Sequence, residues 1–226
     1  MPLAAPVSTP PLLEGDSLTS DEFLRRWEDL PDLKHAELID GIVYMSSPVS
    51  RDHGDPHLFL ANWLGFYSMA TPGCRASMEP TWVMGERQVP QPDVTLRILT
   101  EYGGQSGIAG EYAAASPELI VEVAVSSYSR DFGAKRRLYE RMGVREYIIA
   151  APCDEKLVGL SLTSHVFQPL ESDDDDILRS AYFPGLWLDI KSLWGLDLQR
   201  MNSVLQRGLA TPEHAAFAEK LASQKH

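Results

Sequence analysis

The sequence predicts a single α/β domain in which a mixed central β-sheet is flanked by helices, and three stretches carry that prediction. Pro117 to Gly143 reads as a strand running into an amphipathic helix, and Glu146 to Ala150 as a second strand, together a strand–helix–strand unit. Asp40-Gly41 between two apolar runs marks a hairpin, because that dipeptide accepts the positive φ angles of a tight turn. The 226 residues suit one domain with tails: an N-terminal segment over 1–18, a domain over 19–195, and a partly helical extension over 196–226.

In chain order, the proline-rich first eighteen residues lack periodicity and are expected to be flexible or draped over the surface. Thr19 or Ser20, with Glu22 in an acidic first turn, opens a helix to about Asp29 whose apolar side is Phe23, Leu24 and Trp27. Ala36 to Ser47 is the hairpin, and Asp52 to Ala70 a long helix patterned by Leu58, Leu60, Ala61, Leu64 and Tyr67. Pro72-Gly73 ends that helix, Arg75 to Met84 reads as a strand, and Gly85-Glu86-Arg87 turns toward a strand at Asp93. Thr100 to Ala115 holds four glycines and no periodicity, so it reads as a long loop, either a linker or a cover over substrate. Leu157 to Leu162 and Val166 to Leu170 form a further hairpin, Asp173 to Asp176 a solvated turn, and Phe183 to Asp189 a closing strand. The tail carries a helix from Pro212 to Ala222, available for dimer contacts.

Composition narrows the function. The net charge of −12 argues against broad affinity for nucleic acid, although Arg130, Arg136, Arg137, Arg141 and Arg145 gather along one stretch, either as a solvated face or as phosphate contacts. Cys74 and Cys153 lack metal-site spacing, and no signal-like segment or apolar run of membrane-spanning length occurs, which points to a soluble, reducing, cytoplasmic setting. Without a Gly-rich phosphate loop or a Gly-x-Ser-x-Gly elbow, nucleotide-binding and serine-hydrolase readings have no starting point.

Chemistry enters where an ionisable residue occupies an apolar position. Leu119, Val121, Val123 and Val125 alternate onto one face of the 118–125 strand, and Ile120, Glu122 and Ala124 onto the other. A carboxylate buried there without a partner would cost several kcal/mol or take up a proton. On the helix, at about 100° per residue, Lys135 falls in the middle of the stripe Phe132, Leu138, Tyr139 and Met142. Lys135 either leans toward the sheet or pairs with Asp131 one turn earlier and extends outward. Val94, Leu96 and Ile98 share a face opposite Asp93 and Thr95, so a 93–98 strand beside the 118–125 strand would bring Asp93 and Glu122 to one sheet end. Two carboxylates suit Mg²⁺ or Mn²⁺. His53 and His57, four apart on the long helix, have zinc-compatible spacing, but the sequence offers no third ligand. His53 reaching a phosphate or a neighbouring subunit, or simply starting the helix, fits as well.

The Pro-Asp at 92–93, Val121-Glu122-Val123 and the D-x-x-x-K-x-x-x-Y helix beginning at Asp131 resemble the PD-(D/E)XK nuclease superfamily. With AELIDGIVYMSSP, VPQPDV, PELIVEV and KRRLYERMGVREYII in that order, the chain from Thr19 to about Trp194 resembles the Uma-type restriction endonuclease family, formerly a domain of unknown function. One departure is that Ala124, not lysine, stands two residues after Glu122; the resemblance implies that the lysine has moved to Lys135. It implies a restriction-endonuclease-like core and metal-dependent hydrolysis of DNA, with Asp93 and Glu122 holding Mg²⁺ or Mn²⁺, Lys135 assisting, and Glu37 as an auxiliary acid or a rim salt bridge. Arg130, Arg136 and His53 become candidate phosphate contacts, and a homodimer the assembly that would cut both strands. A catalytically inactive nuclease fold serving as a DNA-binding or protein-interaction module is the alternative.

Overall fold

The computed structural model describes residues 10–45 and 48–225. Along the chain lie α1 (Ser20–Glu28), β1 (Ala36–Ile39), β2 (Ile42–Met45), α2 (Arg51–Ala70), β3 (Cys74–Met78), β4 (Trp82–Val83) and β5 (Val94–Ile98). There follow β6 (Gly107–Ala109), β7 (Tyr112–Ala114), β8 (Leu119–Val123), and a helical stretch made of α3 (Tyr128–Arg130), a π-helical turn (Asp131–Lys135) and α4 (Arg136–Arg141). The chain continues through β9 (Glu146–Ala151), β10 (Lys156–Thr163), β11 (Val166–Leu170), β12 (Ile177–Arg179), β13 (Trp187–Asp189), α5 (Ile190–Trp194), α6 (Leu198–Leu209) and α7 (Pro212–Ser223).

The central sheet has six strands in the order β11-β10-β9-β8-β5-β3. β8 and β9 are parallel and joined by the helical stretch, while the other pairings are antiparallel, so the sheet is mixed as expected. The alternation in β5 and β8 sets the two layers. Val94, Leu96, Ile98, Leu119, Val121 and Val123 face α2, α5 and α6, with Trp63, Leu64, Met201 and Leu205 filling the space between. Ile120 and Ala124 face the other way, against Leu138, Tyr139 and Tyr147. A third cluster closes α1 onto the β1–β2 hairpin through Phe23, Ala36, Leu38 and Val43.

Thr19 caps α1 by accepting the Glu22 N–H, and Asp40 and Gly41 turn the hairpin at φ 51° and 78°. Residues 1–9 lie outside the described residues. Over 10–18 the chain is draped on the hairpin, with Leu12 and Leu18 buried and Ser17 bridged to Ile42.

Several expectations need correction. The 75–84 strand is two pieces, β3 and β4, because Glu79 adopts φ 50° and breaks the ladder. The 100–115 stretch is not a structureless loop: it forms a 3₁₀ turn and the β6–β7 hairpin, which pairs with β4 in a separate three-stranded sheet. The closing strand is shorter than 183–189 and begins at Trp187, paired with β12. The tail holds a second helix, α6, whose Met201, Val204, Leu205 and Gly208 recur at helical spacing and are buried. Met201, Leu205 and Leu221 spend that apolar surface on this chain's own core.

Candidate active site

Antiparallel pairing of β5 with β8, Val94 opposite Val121, puts the start of one strand beside the end of the other. Asp93 and Glu122 therefore reach the same sheet end, and the Val123 N–H donates to Asp93 Oδ2 at 2.6 Å. Glu37 comes from β1, where alternation turns Glu37 and Ile39 away from Leu38 and toward the helical stretch. Lys135 comes from the π-helical turn, a wider helical form that recurs at functional sites. All four side chains line one cavity of about 340 Å³, together with His53, Glu79 and Arg130.

Lys135 leans inward. Only 3% exposed, its Nζ lies 2.8 Å from Glu37 Oε1, 2.9 Å from Glu122 Oε1 and 3.6 Å from Asp131 Oδ1. The pairing with Asp131 thus exists alongside the inward reach rather than instead of it. Tyr139 donates its hydroxyl to Glu122 Oε1 at 2.8 Å, Gln91 N–H donates to Glu37 Oε1 at 2.9 Å, and the Ser127 hydroxyl donates to Asp131 Oδ2. Glu122 Oε1 thus takes both protein bonds, leaving Oε2 without a hydrogen-bond partner among the described residues.

One buried amine facing three carboxylates fixes the electrostatics. Burial would lower the Lys135 pKa, but Glu122, Glu37, Asp131 and Asp93 hold it well above the usual lysine range, so the amine stays charged. Glu122 is pushed well above the usual carboxylate range by burial and by repulsion from Asp131, Asp93 and Glu37, against the pull of Lys135. Asp131 is raised in the same way, by burial and by Glu37 and Asp93. Burial would raise Asp93 too, yet His53, Lys135 and the Val123 N–H hold it below the ordinary aspartate value. The fold thus favours the ionised form of Asp93 and presses Glu122 toward its neutral form.

His53 Nε2 stands 3.3 Å from Asp93 Oδ1, a position on the carboxylate rather than free toward solvent. Arg130 lines the cavity, with Nε 3.6 Å from Glu37 Oε2 and its guanidinium over the Tyr44 ring at 4.8 Å. Arg136 is exposed and does not line the cavity, because it points away from the stripe that carries Lys135. Sequence reasoning missed three participants. Asp131 opens the D-x-x-x-K-x-x-x-Y pattern, but its spacing from Lys135 gives only a helix-surface partner, and its full burial by the π-helical turn is not encoded in spacing. Tyr139 closes that pattern and by periodicity reads as packing, and Glu79 sits in an irregular turn that gives no signal.

The donor set fits a hard divalent cation, with carboxylate oxygens of Asp93 and Glu122 on an open cavity and a buried lysine beside them. A family model matches residues 20–191, most of the chain, and that span contains every residue of the cluster. The chain belongs to the Uma2 family. That family carries the description "Putative restriction endonuclease". A solved structure described as "a putative nuclease belonging to DUF820 from Anabaena variabilis ATCC 29413" is similar to this Uma2 chain at 18% identity and a TM-score of 0.61, covering 79% of this chain and 98% of that one. At that identity the likeness shows the fold. None of the curated proteins matches the chain. Among the described residues no helix of this Uma2 protein is long and apolar enough to cross a membrane.

Proposed function

We propose that the chain is a metal-dependent endonuclease hydrolysing DNA phosphodiester bonds at the Asp93–Glu122–Lys135 cluster. The observation that carries this reading is the convergence of two carboxylates and a buried, charged amine, from three separate elements, on one open cavity. Membership of a family described as "Putative restriction endonuclease" supports it. Asp93 and Glu122 hold Mg²⁺ or Mn²⁺, which when bound supplies charge neutralisation at a phosphate and a lowered water pKa. Lys135, fixed by Glu37 and Asp131, presents its ammonium where negative charge grows on the phosphoryl oxygens as water adds and the leaving oxygen departs. Glu37 positions that amine and anchors Arg130, the cavity's candidate phosphate contact. DNA is the partner this implies, and a homodimer is the assembly that would cut both strands.

The test is plasmid nicking in Mg²⁺ or Mn²⁺ by wild type, Asp93→Asn, Glu122→Gln and Lys135→Ala. Each loss is expected to cost on the order of 10²–10³ in rate; equal activity in all four removes the mechanism. The second reading, an idle nuclease fold used as a DNA-binding or protein-interaction module, draws on Lys135 being already engaged by Glu37 and Glu122. Calorimetric titration with Mn²⁺ separates the two, because an idle scaffold does not take up the ion at the carboxylate pair.

A further inference from the structure

The spacing of His53 and His57 on α2 lacked a third ligand in the sequence, and the fold supplies one. One ring nitrogen from each histidine and a carboxylate oxygen of Asp93 lie within 4.8 Å of one another. Two details show that the histidines are set for a ligand. A backbone carbonyl can only accept, so His57 Nε2, 3.0 Å from the Asp93 carbonyl oxygen, carries the proton. In the neutral ring the lone pair then lies on Nδ1, which faces Glu79 Oε1 at 3.9 Å, one acceptor opposite another. Such a pair is complementary to a cation, a proton or the two hydrogens of a bridging water. An imidazole whose other N–H is fixed by a backbone carbonyl is also the usual arrangement of a metal-ligating histidine. The second detail is His53 Nδ1, which is buried with no hydrogen-bond partner among the described residues, while Nε2 of the same ring faces Asp93.

The geometry points to a second cation site, formed by His53, His57 and Asp93 with Glu79 at its edge, that takes a divalent transition metal rather than Mg²⁺. Two imidazoles with a carboxylate select Co²⁺ or Zn²⁺, because nitrogen donors suit those ions, whereas Mg²⁺ and Mn²⁺ favour oxygen. Asp93 is shared with the carboxylate cavity, so the two sites are neighbours; the inference stands on ligand geometry and does not require the chain to cleave DNA.

The test uses the untagged full chain in saturating Mg²⁺, titrated with Co²⁺ and followed by its visible d–d absorption, for wild type, His53→Ala, His57→Ala and Glu122→Gln. Thermal melting checks that each variant folds, and His53→Ala, at a partly exposed position, serves if His57→Ala does not fold. Zn²⁺-loaded protein is read in parallel by histidine ¹⁵N NMR. Wild type and Glu122→Gln are expected to bind one Co²⁺ at this site, and each histidine variant to lose at least about tenfold in affinity. Displaced ¹⁵N shifts at both His53 and His57 in the Zn²⁺ form are the matching NMR result. No Co²⁺ band in wild type, equal affinity in the histidine variants, or loss of the band in Glu122→Gln overturns the site. Nicking activity enters none of these readouts, so a failure here is distinct from a failure of the nuclease reading.

Discussion

Replacing Lys135 by methionine tests the electrostatic core of the site directly. The two side chains are similar in length, so the change removes a charge with little change in packing. In the folded protein that charge is 2.8 Å from Glu37, 2.9 Å from Glu122 and 3.6 Å from Asp131, at a position 3% exposed. Removing one partner of a buried ion pair costs about 3–5 kcal/mol, because the remaining charge is left uncompensated. For a chain of this size that corresponds to a fall in Tm of roughly 6–20 °C at about 2–4 °C per kcal/mol. The loss depends on pH in a definite direction. Glu122 is raised above its ordinary value of 4.5 in the fold, so protonation stabilises the folded state most below 4.5 and this contribution fades as pH rises through the folded value. Without Lys135 the carboxyls rise further, and the deficit is largest at pH 8 and shrinks toward pH 5. Calorimetric melting of wild type and Lys135→Met at both pH values reads it. A variant that melts with wild type at pH 8 would refute the assignment of Lys135 as the counter-charge.

Glu122→Gln is expected to lower Tm at pH 8 less than Lys135→Met does, because burial and the neighbouring acids already press Glu122 toward its neutral form and the amide oxygen still accepts from Tyr139 and Lys135, while Mn²⁺ binding, read by calorimetry, is lost. Because the fold raises Glu122, Mn²⁺ uptake in wild type is expected to compete with its protonation, so that affinity rises with pH above 4.5 and protons are released, measured by calorimetry in buffers of different ionisation enthalpy. Met201→Ala is expected to cost about 2–5 kcal/mol in urea unfolding, because this α6 residue is fully buried in the main core and makes the extension part of the domain. Binding of duplex DNA, measured by fluorescence anisotropy at physiological salt, is expected to require a divalent ion, with Ca²⁺ sufficing and chelator abolishing it.

Much of this arrangement was legible because it rests on local rules. Asp40-Gly41 forces its turn through positive φ, and alternation in β5 and β8 fixes which residues face each layer. Glu122 and Lys135 stood out as charges at apolar positions, and both are buried. What escaped depends on geometry that no spacing records. The π-helical turn over 131–135 buries Asp131 completely, although an Asp four residues before a Lys looks like an ordinary surface pair. The third partner for the histidines lies 36 residues beyond His57 and reaches it only through the sheet. Helix α6 did carry a signal, since Met201, Val204, Leu205 and Gly208 follow the 3.6-residue period, but glutamine and arginine between them diluted it.

The acidic average and a polyanionic partner are reconciled at the cavity. Its walls carry Glu37, Glu79, Asp93 and Glu122 against Lys135 and Arg130, and Lys135 is already engaged by two of those acids. A phosphate approaching this surface alone meets excess negative charge in a chain whose net charge is −12. A divalent ion reverses the local balance by adding two positive charges where Asp93 is held ionised. Attraction then exists only at the cavity and only with the ion present, whereas a generally basic protein would hold DNA everywhere along its surface. Under the proposed nuclease reading the acidic surface would limit nonspecific contact, and the cation proposed for hydrolysis would also be what admits the substrate.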